Sequence, residues 1–495
     1  MPNPTTTKNG SAHLASLRDG RAVYIDGALA GDVTQHAAFR NAVQSIADLY
    51  DFQALPEHQE LMTFEGPGGA RIGRAWQAPR TYAEMVERRK ALVTWAEFHN
   101  GFMGRSPDHV ASALVGQSMG LDVFERYDAK RAGAFADYMR YAAANDLYLT
   151  YVIINPQADR SKDWGDQQGD DLVAAIVDED HEGISIRGAK MLGTGSIMAN
   201  EVFVANLQPL KPGEENLAFS CAIPLGTKGV KILSRKSFEQ HAVSEFDNPL
   251  ASRFDENDAL IYFQDVKVPW ERVFTYRNTD ACRAQFHDTP GHVMQNYQAQ
   301  MRLTVKLRFL LGLARRIADT IGTINMPPIR EKLGWLAARA GMVESMLYGM
   351  EAAGREYNGY FVPDRHLLYS AQGVTQELYP VFISIIRELA GGSLIMLPSS
   401  EKDMENPELL AIIRKTQISA AMPADQRVKF LKLAWDAVGS EFASRHLQYE
   451  MFYAGAQFVT SGHSFRTYDW ARATGLVEGT LAGYGPEAAP LKEAA

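Results

Sequence analysis

The chain has 495 residues, 46% hydrophobic and 22% charged, the balance of an ordinary globular protein with residues enough for about two to four domains. Its net charge of −9 comes from interspersed acids and bases, which excludes a nucleic-acid stripe and a polybasic membrane patch. No run approaches the roughly 18 uninterrupted apolar residues of a membrane span, and Met1 to Ser16 lacks the apolar run of a signal peptide, so a cytoplasmic protein with no membrane partner is expected.

From about Gln35 to Asn145 the hydrophobic period is helical. Ala38, Val43, Ile46, Leu49 and Tyr50 fall on one face, Tyr82 to His99 continues the pattern, and Gly66-Pro67-Gly68-Gly69 interrupts it as a turn. From about Leu147 to Phe274 short apolar runs take over. Strands are predicted over 147–155, 172–177, 183–187, 201–205, 217–223, 230–233 and 259–268, enough for one barrel or a pair of packed sheets. The segment 207–216, with its Pro-Gly-Glu-Glu, is expected to be a mobile hairpin loop. After about Asp280 the period is helical again. Leu303, Leu307, Leu310, Ala314, Ile317 and Ile321 form an apolar stripe flanked by Arg302, Lys306, Arg315 and Arg316. The stretch Thr323 to Pro328 is expected to end that helix, because its two prolines cannot continue it. Further helices are predicted over 329–350, 374–389, 424–437 and 441–454, in the manner of an antiparallel bundle.

Several chemistries lack their residues. There is no G-x-G-x-x-G after a strand, no G-x-x-x-x-G-K-[ST] loop and no H-E-x-x-H. Gly116-Gln117-Ser118-Met119-Gly120 matches G-x-S-x-G but lies in a helical region without the strand a nucleophile elbow needs, and reads as chance. Two cysteines, Cys221 and Cys282, are too few for a disulfide framework or an iron–sulfur cluster, and the 12 histidines lack metal-ligand spacing, so no metal is expected.

A series of short blocks then decides the direction. It runs from Ser16-Leu17-Arg18-Asp19-Gly20-Arg21 through Gly104-Arg105-Ser106-Pro107-Asp108 and Ile154-Asn155-Pro156-Gln157-Ala158-Asp159-Arg160. It continues with Gly188-Ala189-Lys190, Gly193-Thr194-Gly195-Ser196, Ser252-Arg253-Phe254-Asp255-Glu256-Asn257-Asp258 and Pro269-Trp270-Glu271. Leu397-Pro398-Ser399-Ser400, Trp435 to Phe442 and Tyr453-Ala454-Gly455 complete it. In this order the blocks resemble the 4-hydroxyphenylacetate 3-hydroxylase family, the oxygenase component of two-component FAD-dependent monooxygenases, over most of the chain.

The resemblance implies an α+β, acyl-CoA-dehydrogenase-like fold: an N-terminal helical domain (1–145), a middle β-barrel domain (146–275) and a C-terminal helical bundle and tail (276–495). The α–β–α order read from periodicity agrees with it. A homotetramer assembled through the bundle is implied too. The implied reaction is hydroxylation of a phenol beside its hydroxyl. Reduced FAD, supplied by a separate NAD(P)H:flavin reductase, captures O2 as a C4a-hydroperoxide whose distal oxygen the electron-rich ring attacks. Such chemistry calls for a cation or base at the phenol oxygen and for a dry site. Three other readings stay open: a halophenol or nitrophenol enzyme of the same family, an acyl-CoA-dehydrogenase-like flavoenzyme, and a non-catalytic helical scaffold. A 4-hydroxybutyryl-CoA dehydratase is disfavoured by the two cysteines.

Carried onto this chain, the resemblance implies that Arg105 acts on substrate and flavin. The hydroxyphenylacetate enzymes place tyrosine four residues after this arginine and histidine in the following strand. Here the two have exchanged places as His109 and Tyr151, and a neutral His109 is expected to accept the phenol proton while Tyr151 donates a hydrogen bond. The resemblance further implies flavin contacts from Tyr151, Asn155, Gln157 and Arg160, from the Thr194-Gly195-Ser196 turn, and from Tyr453, Ala454, Gly455 and Ala456. The alternatives are a surface or capping role for Arg105, packing roles for His109 and Tyr151, and plain turns for the glycine segments. The histidine of the halophenol branch has no obvious match around Met294 to Ala299; His292 lies slightly upstream.

Overall fold

The computed structural model describes residues 7–159, 161–162, 167 and 171–485. Helices come first, two sheets follow, and helices close the chain. In the N-terminal part, helices Arg40–Ala54, Tyr82–Phe98, Pro107–Met119 and Ala129–Ala144 carry the predicted period. Their starts follow from local chemistry. Thr81 accepts from the Glu84 N–H and Asp128 from those of Lys130 and Arg131, while Pro107 takes a first-turn position where a missing N–H costs nothing.

All seven predicted strands are present with shifted ends, and they form two sheets, one of the two arrangements the sequence left open. The six-stranded sheet has the order Ala28–Leu29, Ala22–Ile25, Val230–Ser234, Ala259–Pro269, Gly183–Lys190, Ala175–Glu179. The four-stranded sheet has the order Val273–Tyr276, Phe219–Pro224, Glu201–Val204, Leu149–Val152. Strand Ala22–Ile25, unassigned from sequence, pairs in parallel with Val230–Ser234 and so carries an N-terminal segment into the β layer. The two sheets meet around Gly193, where a Cβ would come within 3.0 Å of Ile261 in one and 3.3 Å of Val152 in the other. The 207–216 segment joins the antiparallel strands Glu201–Val204 and Phe219–Pro224.

The bundle corrects one expectation. Helix Gly291–Ile321 ends on Gly322, left-handed at φ 82°, and Pro327-Pro328 begin the next helix, Pro327–Ala352, instead of merely stopping the first. The apolar stripe is buried from Leu303 to Ile317 and half-buried at Ile321, but its flanking Arg302 and Lys306 are buried too, 1% and 0% exposed. From Gly291 to Leu307 this helix is buried on every face. It packs on Pro107–Met119, Pro327–Ala352 and Arg365–Ala390, so its polar residues must find partners inside the protein. Helices Ala424–Val438, Glu441–Phe452, Gln457–Thr467 and Trp470–Ala482 follow. Among the described residues, no helix is long and apolar enough to cross a membrane.

Candidate active site

Arg105 lies in the turn before helix Pro107–Met119, and its backbone is held from both sides. Its N–H donates to Glu256 Oε1 at 2.5 Å, and its carbonyl accepts from the Tyr148 hydroxyl at 2.6 Å. Gly104 precedes it because a Cβ there would fall 2.5 Å from the Tyr449 oxygen. The guanidinium lies over two phenol rings, 5.1 Å from the Tyr151 centroid and 5.3 Å from that of Tyr449. Burial opposes its charge, but Tyr151, Tyr449 and Glu256 outweigh burial and raise its pKa. Among the described residues, no carboxylate pairs with its side chain.

The structure brings Arg105, His109 and Tyr151 together. Arg105 Nη1 contacts His109 Nε2, and the His109 and Tyr151 rings stack at 5.7 Å and 20°. His109 Nδ1 lies 2.8 Å from Gln298 Oε1, and its Nε2 lies 3.0 Å from Gln295 Nε2. Burial, then the Arg105 charge, pushes His109 well below the ordinary histidine pKa. Burial and the Arg105 charge thus weaken the imidazole as a proton acceptor, and its Nε2 is turned toward N–H donors.

The Thr194-Gly195-Ser196 turn follows strand Gly183–Lys190 and abuts the same cluster. Gly195 has φ 77°, and a Cβ on it would sit 2.4 Å from the Tyr148 oxygen. Its N–H donates to the Glu256 and Asn257 carbonyls, both at 3.0 Å. The Thr194 hydroxyl donates to Asp258 Oδ1 at 2.6 Å, and its carbonyl accepts from Thr150 at 2.7 Å. Arg445 then ties the site to the bundle, meeting Glu256 at 2.7 Å and Asp258 at 2.6 Å. The Ser252–Asp258 block, quoted from sequence without a role, is therefore the brace that joins the Arg105 turn, the Thr194 turn and helix Glu441–Phe452.

On the bundle side, Tyr453 stacks on Tyr449 at 5.8 Å and accepts from Gln300 at 2.6 Å. Gly455 is left-handed at φ 102°, and its carbonyl accepts from Gln376 at 2.7 Å, which fixes the turn carrying Ala454 and Ala456. Beneath Tyr449 lies a buried ionic cluster: Glu450 meets Arg302 at 2.9 Å and Lys306 at 3.0 Å. Burial pushes Glu450 up, but Arg302 and Lys306 hold it down at about 2. Asn155 stands apart from the Arg105 cluster, accepting from the buried Lys190 at 2.6 Å, with burial lowering that lysine to about 7. Gln157 is exposed, and Arg160 lies outside the described residues. Gly116 packs where a Cβ would come 2.6 Å from the Pro290 carbonyl, so the G-x-S-x-G match is a helix contact.

Sequence reasoning missed Tyr148, Glu256, Asp258, Gln295, Gln298, Arg445 and Tyr449 as parts of the site. Glu256 and Asp258 had a signal in the Ser252–Asp258 block, and Arg445 and Tyr449 in a spacing of four on one helix face beside Glu450.

Comparison with known proteins accords with this geometry. Residues 9–275 match the 4-hydroxyphenylacetate 3-hydroxylase N-terminal family and residues 282–482 its C-terminal family. The chain is 34% identical to the 4-hydroxyphenylacetate 3-monooxygenase oxygenase component of Geobacillus sp. (strain PA-9), over 90% of this chain and 91% of that protein. It is also 34% identical to the 4-nitrophenol 2-monooxygenase oxygenase component of Rhodococcus sp, over 92% and 87% of the two chains. A crystal structure of the oxygenase component HpaB of 4-hydroxyphenylacetate 3-monooxygenase, complexed with FAD and 4-hydroxyphenylacetate, superimposes with a TM-score of 0.91 at 30% identity, covering 96% of this chain and 98% of that one. The α+β architecture expected from the blocks, helices then sheets then a helical bundle, is thus the observed one, and this chain belongs to the 4-hydroxyphenylacetate 3-hydroxylase family.

Proposed function

We propose that this chain is the oxygenase component of a two-component monooxygenase that uses reduced FAD and O2 to hydroxylate a para-substituted phenol beside its hydroxyl. The observation that carries the reading is Arg105: a half-buried guanidinium between two phenol rings, bonded to a neutral histidine and unpaired by any described carboxylate. Such a group stabilises a phenolate oxygen electrostatically while the ring carbon beside it becomes nucleophilic. Tyr151 supplies a hydroxyl donor next to it, and His109, held neutral, fixes the guanidinium without competing for its charge. The phenol proton leaves to solvent or to a group other than His109.

The residues fit a flavin. Ser196 Oγ, Asn155 Nδ2 and Tyr449 Oη are buried without a partner among the described residues, as the polar edges of an isoalloxazine require, and the Gly195 turn brings backbone close to the cluster. Thr194 to Ser196, Asn155, Gln157, Arg160 and Tyr453 to Ala456 are the residues assigned to hold it. Reduced FAD, when bound, supplies the electrons that activate O2.

A separate NAD(P)H:flavin reductase delivers the reduced flavin, since no nicotinamide-binding motif stands in the sequence. The homotetramer reading is supported by the last two helices, which expose Phe458 (81%), Leu476 (74%) and Val477 (57%), apolar surface that another subunit would cover. A cytoplasmic setting suits the two buried free thiols. The purified chain should not oxidise NADH alone, and should yield a catechol from 4-hydroxyphenylacetate or 4-nitrophenol when a flavin reductase, NADH and FAD are added. NADH oxidation by the isolated chain, or reduction of its flavin by an acyl-CoA, would contradict the assignment.

A further inference from the structure

His109 has two ring nitrogens, and their partners are of opposite kinds. Nε2 faces N–H donors only, the Arg105 guanidinium and Gln295 Nε2 at 3.0 Å. Nδ1 has Gln298 Oε1 as its near partner at 2.8 Å, with Arg105 Nη1 farther off at 3.4 Å. A glutamine amide can present either end, but here the choice is made by the other half of the group: Gln298 Nε2 donates to Asp108 Oδ2 at 2.9 Å. Asp108 is itself oriented, by the Ser106 hydroxyl at 2.5 Å on its other oxygen. Gln298 and Asp108 are 1% and 2% exposed, so water does not compete for these bonds. We propose that Gln298, locked by Asp108, is the positioning residue that fixes His109 as the Nδ1–H tautomer, so that an unprotonated Nε2 always faces the Arg105 guanidinium and aims it into the site.

The hydrogen bond made by one ring nitrogen decides which end of a histidine donates and which accepts. If the amide were reversed, its NH2 would confront Nδ1, the ring would carry its proton on Nε2, and two donors would then meet at Arg105. The guanidinium would have to turn away from the stacked Tyr151 ring. The charged and titratable groups facing His109 are Arg105 and Tyr151 around its ring, Arg302 on the long helix, and Asp108 through Gln298. Burial and the two arginines oppose an imidazolium and the bond to Gln298 alone favours one, so the tautomer and not a proton switch is what the site controls. The proposal rests on Arg105 being the group that acts on the phenol, and its test separates the two.

Solid-state NMR of the 15N-histidine-labelled full chain reads the tautomer without cofactor or turnover, with His109 assigned by the signal lost in His109→Phe. The proposal expects a protonated Nδ1 and bare Nε2 across about pH 6 to 9 in the wild type, and a shift toward the Nε2–H form in Gln298→Leu. Finding Nε2–H in the wild type, or an unchanged tautomer in Gln298→Leu, overturns it, whatever the enzyme's substrate proves to be. Gln298→Glu provides the second arm. A carboxylate accepting from Nδ1–H favours the imidazolium, so His109 gains a titration near neutral pH. Below that pH Nε2 becomes a donor opposed to Arg105. Hydroxylation should therefore acquire an acid limb, falling about tenfold over one pH unit's span below the new pKa, that the wild type lacks. A Gln298→Glu enzyme that is folded and active with the wild-type pH profile assigns Gln298 to packing alone.

Discussion

The hydroxyl of Tyr148 donates to the carbonyl of Arg105 at 2.6 Å, and this same oxygen stands 2.4 Å from where a Cβ on Gly195 would be. One phenol thus sets the distance between the turn that carries the cation and the turn assigned to the flavin.

Gly195→Ala should damage that spacing. The residue would be strained at φ 77° and would push against Tyr148, at a cost of about 1–3 kcal/mol. Urea unfolding with and without reduced FAD checks it: lower stability and at least several-fold weaker flavin binding are expected. Tyr148→Phe should cost about 1 kcal/mol and leave the flavin site open.

Arg105→Ala should lower kcat/KM for hydroxylation by about 2–4 kcal/mol of transition-state stabilisation, with the fold intact. Arg105→Lys should recover little, because an ammonium cannot bond His109 and a phenolate with one rigid fork. Steady-state product formation with saturating reductase measures both. Full activity in Arg105→Lys would reduce the role to charge alone.

Glu450→Gln should be strongly destabilising. It leaves Arg302 and Lys306 buried without a carboxylate, a loss of about 3–5 kcal/mol for one partner of a buried pair. Chemical denaturation gives the number. Because Arg302 lies 5.4 Å from the Tyr449 ring, activity should fall with stability.

Acid should destabilise the protein through its histidines. Burial pushes His13, His99, His109, His292 and His446 below the ordinary value, His99 to about 3. Each stays neutral when folded and takes a proton when unfolded. Their contribution is complete above about pH 6.5 and is lost as pH falls below it toward the native values. Glu239, raised to about 7 by burial, works the other way: it binds a proton more readily when folded and gains stability over the same window. The urea midpoint should therefore fall on acidification more steeply in Glu239→Gln than in the wild type. Equal slopes would show that Glu239 does not titrate there.

Much of this was legible in the sequence, for physical reasons. The change of period near Leu147 and again near Asp280 marked the layers, because strands and helices bury alternate residues differently. Arg105 was found through its block, not its spacing. What stayed hidden was non-local. The burial of Arg302 and Lys306 beside the apolar stripe could not be read, because their partner Glu450 lies 148 and 144 residues away. Gln295 and Gln298 read as plain polar positions, since periodicity assigns polar residues to solvent, whereas a helix buried on every face must turn them on His109. The lowered basicity of His109 was hidden for the same reason: it is set by burial and by Arg105, neither of which a spacing of four reveals.

The most direct test of the account is a single-turnover experiment. Wild type and Arg105→Ala are loaded anaerobically with reduced FAD, then mixed with O2 and 4-hydroxyphenylacetate or 4-nitrophenol, and hydroxylated product and H2O2 are counted per flavin. The account predicts that the wild type converts most of the flavin into hydroxylated product with one of these phenols, and that Arg105→Ala binds reduced FAD equally well but diverts it to H2O2. Wild-type protein that binds reduced FAD yet forms only H2O2 with every phenol offered, or Arg105→Ala that hydroxylates as well as the wild type, would contradict it.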